Sequence, residues 1–205
     1  FATQDSRKAG RMIPLFLSAL AVGYSGAMMP GSLLTYTIRQ SLRAGPKSGF
    51  IIIAGHALLE LVLITGIFLG LDAVLKSSAA QIAIGLVGGV LLTYMGIDMI
   101  LKAAKNKVSV AVEAGKGASG SMFVSGIALS ATNPYFLLWW ALIGLGFLMN
   151  AYRDFAILGI VTYYIGHILA DFSWYGLISV VVGTTRKFIK EKPYRIILMV
   201  LGGLL

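Results

Sequence analysis

The stretch Ile51–Thr65, IIIAGHALLELVLIT, sets an imidazole and a carboxylate, His56 and Glu60, inside an otherwise oily run. The two are four residues apart, so a helix carries them on one face. A charge at the centre of a membrane helix costs at least roughly 2.5–3.5 kcal/mol on insertion scales, and such groups face a cavity or a partner. If this run crosses a bilayer, the pair marks a polar interior, and the rest of the chain must supply the walls around it.

Composition says that it does cross. The 205 residues are 58% hydrophobic and 12% charged, with mean hydropathy +0.86. A soluble domain is about 45–50% apolar and about 25% charged. Here the charges gather in clusters and leave uncharged runs such as Met12–Ile38, Ser77–Ile97 and Gly117–Tyr152. About 18 apolar residues suffice to cross a hydrocarbon core about 30 Å thick. The expectation is an all-α integral membrane protein with six transmembrane helices. They are Ile13–Ile38, Gly49–Leu71, Ala79–Leu101, Ser121–Met149, Phe155–Val182 and one starting at Ile196. The last shows ten residues, too few to cross, so its remainder is expected to be missing. The chain opens at Phe1 without a Met, and both ends are expected to be trimmed. The first apolar run is too long for a cleaved signal peptide.

Several function classes drop out. With no cysteine there is no disulfide, thiolate metal site or dithiol redox centre. The net charge of +9 comes from cations that flank spans, where Lys and Arg gather on the cytoplasmic side, so no nucleic-acid partner is expected. There is no Walker loop and no H-E-x-x-H, so neither ATP drive nor an intramembrane zinc protease is supported, and no cofactor or enzyme activity is expected.

The loops alternate in charge. One set carries five Lys/Arg: Arg7, Lys8, Arg11, Lys76 and Arg153. The other carries twelve, including Arg39, Arg43, Lys47, Lys102, Lys107, Lys116, Arg186, Lys187 and Arg195. The second set is therefore expected in the cytoplasm and the N-terminus outside, in a multi-pass protein of the cell membrane. Asp98 and Lys102, spaced i,i+4, read as a plain surface ion pair.

Landmarks of the first half recur in the second. Ser25-Gly26 returns as Ser125-Gly126, Pro30 of MMPGS as Pro134 of TNPYF, and GHALLE (Gly55–Glu60) as GHILAD (Gly166–Asp171). Gly-His-x-x-x-acid occurring twice is hard to obtain by accident in a chain with only two histidines. With three spans per half, the second copy enters the membrane from the opposite side, as in the inverted repeats of many secondary transporters. The chain then divides into one membrane domain, 1–205. Repeat one covers about 13–101, a flexible cytoplasmic connector 102–120, and repeat two about 121–205. The architecture points to alternating access.

Pro30 and Pro134 fall inside the first and fourth spans and break backbone hydrogen bonding there. In hydrocarbon the freed groups must find protein, water or ligand. Gly31 and Asn133 favour a local break, and a half-helix N-terminus offers N–H groups to a carboxylate. A plain proline kink is the alternative for each. The same choice holds for the acidic pairs: His56/Glu60 and His167/Asp171 either lock helix packing or line one central cavity. In the second case the acids bind a cationic amine and exchange protons, the histidines relay or tune, and the four groups step across the membrane. Trp139, Trp140 and Trp174, the last with its neighbour Tyr175, are candidate cavity aromatics, since a cation can sit over an aromatic face; lipid-facing roles stay open for them.

These residues resemble the lysine exporter superfamily of translocators, the LysE type that includes homoserine/threonine exporters. The resemblance covers nearly the whole chain. It rests on GAMMPGSLLTYTIRQSLRAGPKSGF, GHALLE, YMGIDMILKA and SATNPYFLLWW, in that order. It implies six transmembrane helices and export of amino acids or other small cations driven by the proton gradient. It also implies broken-helix elements at Pro30, Gly31, Asn133 and Pro134, with Glu60 as the intramembrane acid. The chain departs from the family pattern at Ser32, where a second proline is usual, and at His56 and His167, which bears on the substrate.

The leading expectation is thus a proton-coupled amino-acid exporter, with the amino acid, protons and the lipid bilayer as partners and no resident metal. A homodimer stays open. The runner-up is a divalent-metal exporter in which His56, Glu60, His167 and Asp171 form a four-ligand N/O site. A non-transporting scaffold or enzyme subunit has no need of duplicated buried ionisable pairs.

Overall fold

The structure is a computed structural model describing residues 2–71, 73–74, 77–105, 121–186, 188 and 190–204. Most of the expected connector, 106–120, lies outside the described residues, as do Lys76, Lys107, Lys116 and Lys187. Among the described residues every element is helical: α1 (Ala2–Ala27), α2 (Ser32–Ala44), α3 (Ser48–Gly66), α4 (Ser78–Ala104), α5 (Met122–Ala131), α6 (Pro134–Trp139), α7 (Leu145–Thr185) and α8 (Glu191–Leu204).

The first expected span is two helices. Pro30 cannot donate a backbone hydrogen bond, so α1 stops at Ala27 and α2 restarts at Ser32, bent by 81°. The helix also begins earlier than expected, at Ala2, and runs through Pro14. α3 continues into a wider turn, Ile67–Leu71, where Gly70 takes φ 108°. Ser48–Leu71 is 24 residues, roughly 36 Å at 1.5 Å per residue, enough for the hydrocarbon core.

The fourth and fifth expected spans are interrupted twice, at the Asn133-Pro134 break and again near Ala156. α5 ends at Ala131, and helix resumes at Pro134 and runs, through a wider turn at Trp140–Gly144, to Thr185. A straight helix of those 52 residues would be roughly 78 Å long. It is not straight: Ala156 sits at φ 51°, ψ −136°, and a Cβ on Gly159 would run into the Ala151 carbonyl oxygen. Eight residues of continuous helix would hold those positions roughly 12 Å apart, so the chain turns back there. The last helix starts at Glu191, ahead of the expected Ile196, because Pro193 is tolerated in a first turn.

By length and composition, two helical stretches can cross a membrane, Ser48–Leu71 and Pro134–Thr185, and the bent pair α1–α2 makes a third; Ser78–Val87 and Met122–Ala131 are shorter apolar helices. The surface is oily, with Leu69, Leu86 and Val90 largely exposed, whereas Glu60, Asp171, His56 and His167 are buried. This is the reverse of a soluble domain and suits a lipid solvent.

Close glycine contacts hold the core. α7 packs along α1, and α5 along α3. A Cβ at Gly55 would strike the Phe123 carbonyl oxygen, and one at Gly126 the Ile52 carbonyl oxygen. On the other seam a Cβ at Gly166 would lie 2.7 Å from Phe16 O, and one at Gly23 2.9 Å from His167 O. Small residues let backbones approach where dispersion, not hydrophobicity, drives helix association. At the α2–α3 elbow Gly45 takes φ 95°. Buried Ser179 of α7 receives the Gly49 N–H at 2.8 Å and donates to Pro46 O at 2.8 Å. The Arg186 guanidinium donates to the carbonyls of Leu42 and Arg43, each at 3.4 Å. At the end of α4 Lys102 and Asp98 form an exposed ion pair at 2.6 Å.

Candidate functional site

The two Gly-His-x-x-x-acid segments lie on α3 and α7, which pack against each other. One helical turn separates each histidine from its acid, giving His56 Nε2–Glu60 Oε1 at 3.3 Å and His167 Nε2–Asp171 Oδ2 at 3.8 Å. The pairs also cross. His167 Nε2 donates to Glu60 Oε1 at 3.0 Å, and His56 Nε2 stands 3.9 Å from Asp171 Oδ2. Trp140 Nε1 donates to the same Glu60 oxygen at 3.2 Å. Three nitrogens therefore converge on one carboxylate oxygen of Glu60, a residue that is 1% exposed. The sequence-based expectation of four groups stepping across the membrane does not hold. Both imidazoles meet at one carboxylate, because Glu60 has the reach to bridge from α3 to α7.

The surroundings of the histidines differ. His56 Nδ1 is 2.8 Å from Ser130 Oγ on α5. With the Ser130 hydroxyl donating, neutral His56 carries its proton on Nε2, facing the carboxylate. Phe136 meets His56 edge-on. His167 stacks with Trp139 at 4.8 Å and with Tyr163 at 5.9 Å, and among the described residues its Nδ1 has no hydrogen-bond partner. Asp171 Oδ2 and Glu60 Oε2 likewise have none.

All four residues line a cavity of about 70 Å³, to which both helix breaks contribute. That is room for several waters at about 10–15 Å³ each. Pro30, Gly31 and Asn133 line it, and Pro134 is buried directly behind Asn133. The breaks face each other, since a Cβ on Gly31 would lie 3.8 Å from Asn133 Nδ2. They end differently. Asn133 Oδ1 caps α6 by accepting the Tyr135 N–H at 3.1 Å, and Pro134 has no N–H to satisfy. Gly31 is extended and brings no side chain, so α2 begins at the cavity without a side-chain cap on its first N–H groups.

Of the candidate aromatics, Trp139 and Trp140 line the cavity, and Trp139 Nε1 donates to Ser25 Oγ at 3.1 Å. Trp174 does not line it. It packs against the apolar cluster of Ile52, Ile53 and Tyr175, and Tyr175 itself takes the cavity wall. Sequence reasoning missed Ser130 and Phe136. Ser130 is a polar residue in an apolar helix, one turn before the Asn-Pro break, and that position was the available signal.

Three donor groups, from His56, Glu60 and Asp171, lie within 4.8 Å of one another, all buried. Such a nitrogen and oxygen set suits a cationic guest: an ammonium, a proton or a hard-to-borderline divalent ion.

Comparison with known proteins supplies the family. The sequence model described as LysE type translocator matches residues 24–205. YcgF of Bacillus subtilis (strain 168), named for a proposed role as an amino acid efflux protein, is 24% identical over 181 residues, covering 88% of this chain and 86% of its own length. The chemotactic transduction protein ChpE of Pseudomonas aeruginosa is 26% identical over 133 residues, covering 65% of this chain and 64% of its own. No solved structure matches. The chain belongs to the LysE-type translocators: it is a membrane transport protein and not an enzyme.

Proposed function

We propose that this LysE-type translocator exports amino acids, basic or small neutral, across the cell membrane, coupled to protons by alternating access. Its fold is then one membrane domain of six transmembrane helices in two inverted repeats, about 13–101 and 121–205, joined by a cytoplasmic connector at 102–120. The N-terminus lies outside. Two features of the packing support the repeat: the matched seams Gly55–Phe123 and Gly166–Phe16, and positive-φ turns at Gly45 and Ala156. Residues 45 and 156 stand 111 apart, the same spacing as the two histidines.

The observation that carries the reading is one cavity with two chemical ends. The buried carboxylates of Glu60 and Asp171 offer oxygens to an ammonium, and the start of α2, which no side chain caps, offers N–H groups to a carboxylate. A zwitterion fits both. The imidazoles beside the acids provide groups that can hold and pass a proton. The name of YcgF points to the same substrate class.

The test is flux through the purified full chain in liposomes. Labelled lysine, arginine, threonine and homoserine are offered with and without a proton gradient, and gradient-dependent movement of at least one is expected. A second reading, divalent-cation export, is favoured by the three donors within 4.8 Å. Manganese flux without amino-acid flux selects it, and silence for both classes ends both readings.

A further inference from the structure

We infer that the two buried acids divide the work: Asp171 receives the ammonium group of the transported molecule, while Glu60 stays fixed as the acceptor that holds His167 and Trp140. This rests on the amino-acid reading above and adds which carboxylate does the binding. By resemblance alone the acid of GHALLE, Glu60, would be the one chosen.

Hydrogen-bond supply separates the two acids. Glu60 Oε1 already accepts from His167 Nε2 and Trp140 Nε1, with His56 Nε2 at 3.3 Å. Those donors come from α7 and its preceding turn as well as from α3, so moving Glu60 toward a guest breaks contacts on two elements at once. Its second oxygen has no partner, but the carboxylate is pinned through the first.

Asp171 is the opposite case. It is 5% exposed, lines the cavity, and its Oδ2 has no hydrogen-bond partner; the nearest imidazole nitrogens stand at 3.8 and 3.9 Å. A buried carboxylate oxygen without a donor is unstable until something supplies one. A primary ammonium brings three donors and a full opposite charge. The guest completes Asp171 without dismantling the Glu60 cluster. Asp171, one methylene shorter than Glu60, is held back from the imidazoles and left open for this purpose.

The test uses purified full chain and lysine methyl ester, which keeps its amines and lacks the carboxylate. At saturating ester the thermal midpoint of the unsubstituted protein is expected to rise by roughly 5 °C. Asp171→Asn abolishes that rise while leaving the ester-free midpoint unchanged or higher. Glu60→Gln lowers the ester-free midpoint, and the protein that still folds keeps the rise. Asp171→Glu restores part of the response and guards against a folding artefact. Persistence of the rise in Asp171→Asn, its loss in Glu60→Gln alone, or no rise in the unsubstituted protein overturns the division. Failure of amino-acid flux in liposomes, with the ester response intact and Asp171-dependent, would instead sink the transport reading and spare the cation site.

Discussion

GHALLE on α3 and GHILAD on α7 are two uses of one pattern, and they differ in instructive ways. In both, the glycine is pressed against a neighbouring backbone, at Phe123 O for Gly55 and at Phe16 O for Gly166. In both, the histidine reaches its own acid one turn on. The next layer diverges. His56 Nδ1 has Ser130, whereas His167 Nδ1 faces Gly23, where a Cβ would stand only 3.1 Å away and there is no hydroxyl to offer. Glu60 gathers donors from both halves, and Asp171 is left without one at Oδ2. The helix breaks split the same way: Asn133 caps α6, and among the described residues no side chain caps α2. Duplication thus preserved the backbone packing and let the chemistry part, one half holding and the other receiving.

The sharpest way to break this comparison is at the seams. Gly126→Ala puts a methyl into the Ile52 carbonyl, with Gly55 meeting the same helix from the other side. Most folded, monodisperse protein is expected to be lost on size-exclusion chromatography. Gly166→Ala meets Phe16 O at a less severe 2.7 Å and is expected to lose less. Equal yields would mean that the α3–α5 seam is no tighter than the α1–α7 seam.

Next in size is the asymmetry between the acids. A double-mutant cycle on Glu60→Gln and His167→Gln should return a coupling of about 1.5–3 kcal/mol in reversible unfolding, as for a hydrogen bond to a charged group. The cycle on Asp171→Asn and His56→Gln should return a smaller value, since that pair is 3.9 Å apart and not hydrogen-bonded. A larger value for the second cycle reverses the assignment of roles. Smaller again is Ser130→Ala, which leaves His56 Nδ1 in the state of His167 Nδ1 and should cost about 1 kcal/mol by the same assay. No change would show that the hydroxyl does not hold the imidazole.

The smallest effect concerns the turns. Gly45 adopts positive φ at no steric cost, whereas Ala156 does so against its Cβ. Ala156→Gly should therefore stabilise by about 0.5 kcal/mol, the relief of strain being partly offset by the unfolded-state entropy of glycine. A loss of stability would mean that the Ala156 methyl packs usefully at the reversal.

Much of this was legible beforehand because membrane sequences report through hydropathy and through rare polar residues. With only two histidines in the chain, both pairs were visible, and the proline breaks followed from missing donors at Pro30 and Pro134. What was not legible was register between helices. Nothing in GHALLE says that Glu60 will reach His167 and Trp140, because those contacts depend on how α3 and α7 slide past each other. The reversal was legible as a loop, because Arg153 and Asp154 separate the fourth and fifth expected spans, but its placement at Ala156 was not. Trp174 and Tyr175 both follow Asp171 closely, and the rotation of about 100° per residue, which proximity in sequence does not resolve, gives the cavity wall to Tyr175.

The most direct measurement is an experimental structure of the full chain with the amino acid that moves fastest in the liposome assay. The account predicts its ammonium nitrogen within hydrogen-bond distance of Asp171 Oδ2, its carboxylate at the first turn of α2, and Glu60 still engaged by His167 and Trp140. Ligand density against Glu60 with Asp171 unengaged, or anywhere outside the cavity between the two helix breaks, contradicts it.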